Sequence, residues 1–313
     1  MNLVNLCTIS MDSRLYGQRD KAALWKEALS LMETARLYQP DIILFPEIFL
    51  IGGHPGRWRK ARYIEYEGSP QLVEMGRVAA DLHVYLAAPV LYRDAIGVHN
   101  SVVVFDRQGR HVHTYNKAFP TAQEIAHGVV AGSAQPAVLE TDFGRVGFAI
   151  CFDLNFDELL AHYQTQQIRL LLFPSYLPGG FLLQRAAWNG RFFAASAHAQ
   201  GSESVVVDDY GRVVASGNMV TPVLFRRLNL DTAILHLDEN MDKVPAMLAA
   251  LGPHIEMEMF RAEGLMRLTC WHPERNIADV VREFQLIPLA DYLNKARKHD
   301  LPELQRFDSG KET

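Results

Sequence analysis

Short apolar runs recur along the whole chain, and they constrain its fold more than any other feature of the sequence. One run covers residues 4–10, and another is Ile42-Ile43-Leu44-Phe45. The segment between them carries apolar residues at helical spacing, namely Leu24, Ala28, Leu31, Met32 and Ala35. This order of strand, helix and strand predicts a β-α-β unit. The unbroken apolar character of residues 42–45 indicates a strand that is buried on both faces.

The same pattern continues through the chain. Further strands are predicted at residues 84–90, 101–106, 112–115, 146–152, 170–173, 204–207 and 232–237, and helices at 70–82, 156–166, 182–197, 241–250 and 277–284. Turn signals at residues 107–110 and 208–212 indicate hairpins between some of these strands. The sequence therefore predicts an α/β protein with mixed sheets.

Residues 41–47 resemble residues 169–175, and each stretch follows a predicted helix. Two interpretations stay open. Either each half of the chain contributes a sheet with helices on its outer face, or the two stretches share only a strand ending that is common in α/β proteins. No linker of low complexity divides the 313 residues. We therefore predict one domain over residues 1–280 and a C-terminal extension over 281–313 that contains a short amphipathic helix. The extension either packs on a partner subunit or folds back on its own chain.

The charge pattern limits the partners. The 31 basic and 36 acidic residues are intermixed and give a net charge of -5, so no basic stripe that would neutralise phosphates is present in the sequence. Nucleic acid is not expected as a partner. Because the sequence has neither a signal-peptide pattern at its start nor a span long enough for a bilayer, we expect a cytoplasmic protein without membrane contact.

The three cysteines, Cys7, Cys151 and Cys270, are widely spaced, which argues against a disulfide framework and a zinc site. Two histidines at 111 and 113 lack a third ligand at matching spacing, so we expect no metal and no cofactor. Cys151 ends an apolar run, and Glu47 and Lys117 end two other strand-like segments, residues 41–47 and 111–117. A thiol, a carboxylate and an ammonium at strand ends are suited to act as nucleophile, base and oxyanion partner.

The motifs Phe45-Pro46-Glu47 and Tyr115-Asn116-Lys117, followed by residues 147–153 around Cys151, fall in the order of a known family. They resemble the nitrilase superfamily of carbon–nitrogen hydrolases, in its amidase-like branch. The resemblance runs from about residue 4 to about residue 237 and includes residues 171–175 and 201–211. It implies an α-β-β-α four-layer sandwich of two mixed sheets flanked by helices. It also implies a homodimer or a higher homo-oligomer.

The resemblance implies a catalytic triad of Glu47, Lys117 and Cys151. Glu47 is then the base that takes the thiol proton and later returns it to the leaving amine. The Lys117 ammonium and the backbone N–H of Phe152 are the expected oxyanion donors. Glu124 matches the second glutamate of many members, with a role either in positioning Lys117 or in polarising the substrate.

Four further residues are expected to contact the substrate. His54 and Trp58 lie in or near the turn-rich loop after Glu47, Ser175 ends the strand that follows the nucleophile, and Trp188 lies in a region that resembles a pocket border of relatives. A core position for Trp188 is the alternative.

The expected reaction is hydrolysis of a non-peptide C–N bond in a small amide through a thioester, with release of ammonia or an amine. The Trp-Glu pair that is common after the cysteine of true nitrilases is absent. Residues 152–155 also contain no basic residue that would bind the carboxylate of an N-carbamoyl amino acid. An uncharged amide is therefore favoured over a nitrile or an N-carbamoyl acid. A non-enzymatic scaffold with a relic triad is the further alternative, and the cost of charges clustered beside a thiol argues against it.

Overall fold

The computed structural model describes residues 2–12, 18–52, 55–200, 204–217 and 220–298. The chain divides into two compact units, a larger one of Leu3–Leu228 and a smaller one of Met1–Asn2 with Asn229–Thr313. The predicted boundary between residues 280 and 281 concerns a C-terminal extension and stays a prediction.

Apolar runs form the strands. In chain order these are β1 (Leu3–Ile9), β2 (Ile42–Leu44), β3 (Ile64–Tyr66), β4 (Tyr85–Arg93), β5 (Val98–Phe105), β6 (His111–Asn116), β7 (Leu139–Thr141), β8 (Gly144–Phe148), β9 (Leu170–Ser175), β10 (Phe193–His198), β11 (Val205–Val207), β12 (Val213–Ser216), β13 (Val223–Asn229), β14 (Thr232–His236), β15 (Ile255–Phe260) and β16 (Leu265–Cys270).

The helices of the described residues lie between these strands. They are α1 (Lys21–Arg36), α2 (Pro70–Leu82), α3 (Ala122–Ala126), α4 (Asp157–Thr165), α5 (Gly180–Gly190), α6 (Val244–Leu251), α7 (Ile277–Glu283) and α8 (Leu289–Lys298). Among the residues described, none of the helices is both long and apolar enough to cross a membrane.

The larger unit contains two mixed sheets. The first has the order β13-β1-β2-β4-β5-β6, with β3 paired to β4, and the second has the order β12-β11-β10-β9-β8-β7. In each sheet the central strands are parallel, and antiparallel strands flank them. The hairpins predicted at 107–110 and 208–212 join β5 to β6 and β11 to β12.

Helices cover the outer faces of both sheets. On the first sheet, Leu24 and Met32 of α1 and Met75 of α2 belong to the same buried cluster as apolar residues of β1, β2 and β4. On the second sheet, the Tyr163 hydroxyl of α4 donates to the Phe148 carbonyl at 2.6 Å. Between the sheets, the Tyr115 and Phe148 rings stack at 6.3 Å. The predicted α-β-β-α sandwich of two mixed sheets is confirmed.

Two elements differ from their predictions. The strand predicted at residues 146–152 is β8, which ends at Phe148, and Cys151–Asn155 forms a 3-10 helix. A single helix was expected over residues 182–197, but α5 ends at Gly190, and Arg191 adopts a left-handed φ of 53°. Phe193–His198 instead forms β10, which is buried along its length and pairs in parallel with β9. The small side chains of residues 193–198 are compatible with a helix or a strand. Burial of these residues between neighbouring strands favours the strand.

The smaller unit is built on an antiparallel sheet of order β14-β16-β15. Its core includes Leu235, Met247, Met266 and Val280. The amphipathic helix expected in the C-terminal segment is α8, whose Tyr292 ring stacks on the His236 ring at 4.2 Å.

Candidate active site

Glu47, Lys117 and Cys151 line one cavity of about 320 Å³ in the larger unit. Glu47 lies shortly after β2, and Lys117 directly follows β6, so both belong to ends of strands in the first sheet. Cys151 comes after β8 of the second sheet, where it begins a 3-10 helix, Cys151–Asn155. The strand ends therefore meet as the sequence predicts, and the site draws on both sheets.

The Lys117 ammonium lies between two carboxylates. Its Nζ donates to Glu47 Oε1 at 3.0 Å, and to Glu124 Oε1 and Oε2 at 3.0 and 2.8 Å. Asn100 Nδ2 donates to Oε1 of both glutamates, at 2.7 Å each. All four residues are buried. Charged groups without water must be paired and hydrogen-bonded to be tolerated, and this network meets that condition.

Backbone groups fix both carboxylates. The Tyr176 N–H donates to Glu47 Oε2 at 2.9 Å. The Thr121 N–H donates to Glu124 Oε2 at 2.7 Å, and Thr121 Oγ1 accepts from the Glu124 N–H, which forms a capping box at the start of α3. Each glutamate is thus held in place before any substrate binds.

Cys151 stands on a sharp turn with a φ of 48°, a left-handed conformation that residues other than glycine rarely adopt. The first backbone bond of the turn runs from the Asp153 N–H to the Ile150 carbonyl at 3.0 Å. The Phe152 N–H precedes that bond, at the position where helix-type N–H groups have no partner within the helix. The turn thus places Cys151 at the start of the 3-10 helix, directly before the Phe152 N–H in sequence.

The pKa values describe a protonated thiol beside a charged network. Burial, and then the Glu47 carboxylate, raise the pKa of Cys151 to about 11, against the lowering by Lys117. Burial alone would lower the pKa of Lys117, but the two carboxylates outweigh it and raise that pKa. Burial would raise the pKa of Glu124, and the Lys117 charge lowers it below its ordinary value. The resting cysteine is therefore a thiol, and its proton must move to a base during attack.

Among the described residues, nine others also line the cavity: Ile48, Trp58, Thr121, Gln123, Glu124, His127, Tyr176, Leu177 and Gln200. The Trp58 ring lies 6.1 Å from the His127 ring. Ile48 belongs to a buried apolar cluster against which Trp58 and Tyr176 pack. One wall of the cavity is therefore apolar and aromatic.

The structure places the predicted substrate residues differently from one another. Trp58 lines the cavity, and Ser175 is buried beside the thiol, where its Oγ donates to the Leu177 carbonyl at 2.5 Å. Trp188 lies elsewhere, with the Arg191 guanidinium 3.8 Å above its ring, and is not among the lining residues. Its predicted contact with substrate gains no support from this position. His54 lies outside the described residues.

Two buried polar residues of this region have no role in the sequence-based prediction. Asn100 is in β5, where Asn100 and its neighbours are the polar start of an otherwise apolar strand. Asp153 lies two residues after the nucleophile and is fully buried. A polar residue within an apolar segment of the sequence is a signal that could have identified Asn100 and Asp153. Their hydrogen-bond partners could not be identified in this way, because they are far away in sequence.

The residues that the structure describes contain no group of three or more His, Cys, Asp or Glu side chains that could hold a metal ion. His111 Nδ1 lies 3.0 Å from a Glu67 oxygen, whereas the His113 ring stacks on the Phe148 ring at 5.4 Å. The two histidines therefore have different surroundings.

The family model for carbon–nitrogen hydrolases matches residues 4–235. Among curated proteins, the bifunctional nitrilase/nitrile hydratase NIT4B of Lupinus angustifolius is 32% identical over 154 residues, which are 43% of this chain and 43% of that protein. The match thus spans less than half the length of that relative. The omega-amidase NIT3 of Saccharomyces cerevisiae is 22% identical over 241 residues, 67% of this chain and 82% of that protein.

Among solved structures, an amidase from Nesterenkonia sp. AN1 superposes with a TM-score of 0.64 at 18% identity, over 72% of this chain and 90% of that one. This likeness shows that the fold is shared. In that structure of the amidase, a Glu-to-Gln variant carries the acetamide moiety of fluoroacetamide on its active-site cysteine.

Proposed function

Because this chain belongs to the carbon–nitrogen hydrolase family, we propose that it hydrolyses C–N bonds other than peptide bonds, as an amidase that uses Glu47, Lys117 and Cys151. The convergence of these side chains on one cavity carries the proposal. Glu47 takes the thiol proton while Sγ attacks the carbonyl carbon of the amide. Negative charge then develops on the carbonyl oxygen.

The Lys117 ammonium and the Phe152 N–H stabilise that oxygen, and each such donor contributes about 3–4 kcal/mol to the transition state. The C–N bond breaks as Glu47 returns the proton to the departing nitrogen, which leaves as ammonia or an amine. A thioester remains on Cys151. Glu47 then takes a proton from water, and the resulting hydroxide oxygen forms a bond to the thioester carbon. The C–S bond breaks, Glu47 returns its proton to Sγ, and the acid leaves.

Glu124 positions Lys117 in this scheme. Both of its oxygens accept from Nζ, and its own backbone is tied to Thr121 by the capping box. Of the two roles that the sequence left open, positioning of the lysine has the support of these contacts.

The substrate that fits the cavity is a small amide with an uncharged, apolar acyl group. Ile48, Trp58 and Leu177 offer it an apolar surface, and the about 320 Å³ of space limits its size. A nitrile is the second candidate, because the relative NIT4B that matches over 154 residues is named as a nitrilase and nitrile hydratase. Attack on a nitrile would use the same three residues and form a thioimidate.

The test is a panel of matched amides and nitriles, such as phenylacetamide with phenylacetonitrile, plus the charged amide succinamate, with ammonia release as the readout. We expect the neutral amides to be hydrolysed with kcat/KM at least tenfold above succinamate. In Glu47→Gln both half-reactions lose their base, so ammonia release should fall about 10²–10⁴-fold. Release of ammonia from the nitriles alone would replace the amidase proposal with a nitrilase.

The protonation state of the nucleophile gives a second expected result. With the pKa of Cys151 raised to about 11, only about one percent of the thiol is ionised at pH 9, where an ordinary cysteine is largely ionised. Removing the Glu47 charge in Glu47→Gln lowers that pKa, by about one unit or more. The thiolate absorbance at 240 nm between pH 7 and 10 measures the ionised fraction of Cys151 in wild type and in Glu47→Gln, with Cys151→Ala as the baseline. A wild-type thiol that ionises below pH 8 would contradict the proton transfer to Glu47.

A further inference from the structure

Asp153 is a buried carboxylate that the reaction scheme does not use. It lies two residues after Cys151 and is fully inaccessible to solvent. Its Oδ2 accepts from the Tyr115 hydroxyl at 2.7 Å and from the Ile150 N–H at 2.8 Å, and its Oδ1 accepts from the Phe119 N–H at 2.8 Å. One side chain thus holds three donors from two separate segments.

The three donors are close in sequence to Cys151 and Lys117, whose side chains must lie near each other for the reaction. Ile150 directly precedes Cys151, whereas Tyr115 and Phe119 are two residues before and two residues after Lys117. The Tyr115 hydroxyl also accepts from the Ala118 N–H at 3.4 Å, so it joins the same turn. The Asp153 carboxylate therefore ties the segment of the nucleophile, after β8, to the segment of the lysine, after β6.

The buried position of Asp153 is energetically unfavourable for an ionised carboxylate. Burial raises the pKa of Asp153 to about 6, even though the hydrogen bonds from Tyr115 and Ile150 lower it. A buried carboxylate is tolerated only where its hydrogen bonds are satisfied, and a carboxylate alone can accept from three donors in this arrangement. An apolar side chain in its place would leave the three donors without an acceptor.

We propose that Asp153 is a positioning residue, which fixes the Cys151 thiol relative to the Lys117 ammonium by holding the backbone on both sides of them. This inference rests on the proposed amidase function, since its effect is on that reaction. Reactive groups displaced by about 1 Å lose about a hundredfold in rate. A side chain that sets the distance between nucleophile and oxyanion donor therefore acts on kcat and leaves substrate affinity nearly unchanged.

The test compares Asp153→Asn, Tyr115→Phe and the control Asp157→Asn. In Asp153→Asn, one of the three donors faces an NH2 group, whereas Tyr115→Phe removes a single hydrogen bond and keeps the carboxylate. Asp157 is an exposed carboxylate on α4 that pairs with Arg185 at 3.0 Å. The amount of competent enzyme is measured by labelling Cys151 with chloroacetamide and weighing the intact protein, and kcat is expressed per labelled site.

We expect kcat per labelled site to fall about a hundredfold in Asp153→Asn and about tenfold in Tyr115→Phe, with KM within about threefold of wild type. Asp157→Asn should stay within about twofold. A purely structural role would lower the number of labelled sites and leave kcat per site unchanged, and that result would overturn the proposal. If Asp153→Asn does not fold, an unchanged kcat per site in Tyr115→Phe overturns it equally.

The positioning role of Asp153 can also be tested if the amidase proposal fails. If wild-type protein hydrolyses no amide, the rate constant for labelling of Cys151 by chloroacetamide takes the place of kcat. Labelling at least about tenfold slower in Asp153→Asn than in wild type would then support the positioning role, because the displaced thiol no longer lies where Glu47 can take its proton. Equal labelling rates would refute it.

Discussion

Replacement of Cys151 by alanine is expected to lower the hydrolysis of the best amide by at least about 10⁴-fold, because the covalent step loses its nucleophile and the remaining donors bind substrate without reacting. Alanine carries a Cβ as cysteine does, so it adopts the φ of 48° at this turn at a similar steric cost, and the substitution removes only Sγ. The fold should therefore persist. Ammonia release measures the loss, and circular dichroism checks the structure.

The matched control is Cys270→Ala, which removes the thiol of a buried cysteine in the smaller unit. We expect that variant to keep its turnover within about twofold of wild type, at a small loss of stability from the lost sulfur. Cys151→Ala protein that retained more than one percent of the wild-type rate would exclude a covalent mechanism at this residue.

Replacement of Lys117 by methionine should reduce both activity and stability. The variant loses an oxyanion donor, which corresponds to about 10²–10³-fold in kcat. It also leaves the buried carboxylates of Glu47 and Glu124 with no cation, and breaking a buried ion pair from one side costs about 3–5 kcal/mol in the free energy of unfolding. Urea unfolding at pH 8 measures the second effect.

The loss of stability should depend on pH with a defined sign. In wild type, Lys117 lowers the pKa of Glu124, so the pair stabilises the fold above the pKa of the unfolded glutamate, and this contribution is lost as pH falls through the lowered value. Without the lysine, burial raises that pKa, and the variant regains stability as Glu124 takes up a proton. The difference in unfolding free energy between wild type and Lys117→Met should therefore be larger at pH 8 than at pH 5.

Lys295→Met is the control for removal of a lysine charge. Lys295 pairs with Glu239 at 2.8 Å, but 59% of its side chain is exposed. Solvent screens such a pair, so its removal should change the unfolding free energy by less than about 0.5 kcal/mol at either pH. A Lys117→Met protein as stable as this control would contradict the buried charge network.

Much of the fold follows from local patterns in the sequence. The helix predicted at residues 70–82 is Pro70–Leu82, because a serine and a proline mark its start and its apolar residues recur at helical spacing. The prediction omits β15 and β16, although Ile255, Met257 and Met259 alternate with glutamates. Such short alternation becomes decisive only when a partner strand covers one face.

The site shows the same division. Glu47, Lys117 and Cys151 are recognisable because each ends a strand-like segment and because their three motifs fall in the order of a known family. Asn100 and Asp153 are not, since the roles of these side chains come from partners 53 and 38 residues away. The cytoplasmic location, the homodimeric or higher assembly and the packing of residues 281–313 on a partner subunit stay predictions.

The Tyr176 N–H, at the end of β9, holds the carboxylate that follows β2, so the base itself is completed by the opposite sheet. This arrangement has a consequence during synthesis on the ribosome. Because β13 (Val223–Asn229) also belongs to the first sheet, that sheet is completed only after Cys151 has been synthesised, and the carboxylate and the thiol meet only once both sheets are in place. We therefore expect a chain that ends before β9 to carry the Cys151 thiol without the hydrogen bond from the Tyr176 N–H that fixes the Glu47 carboxylate.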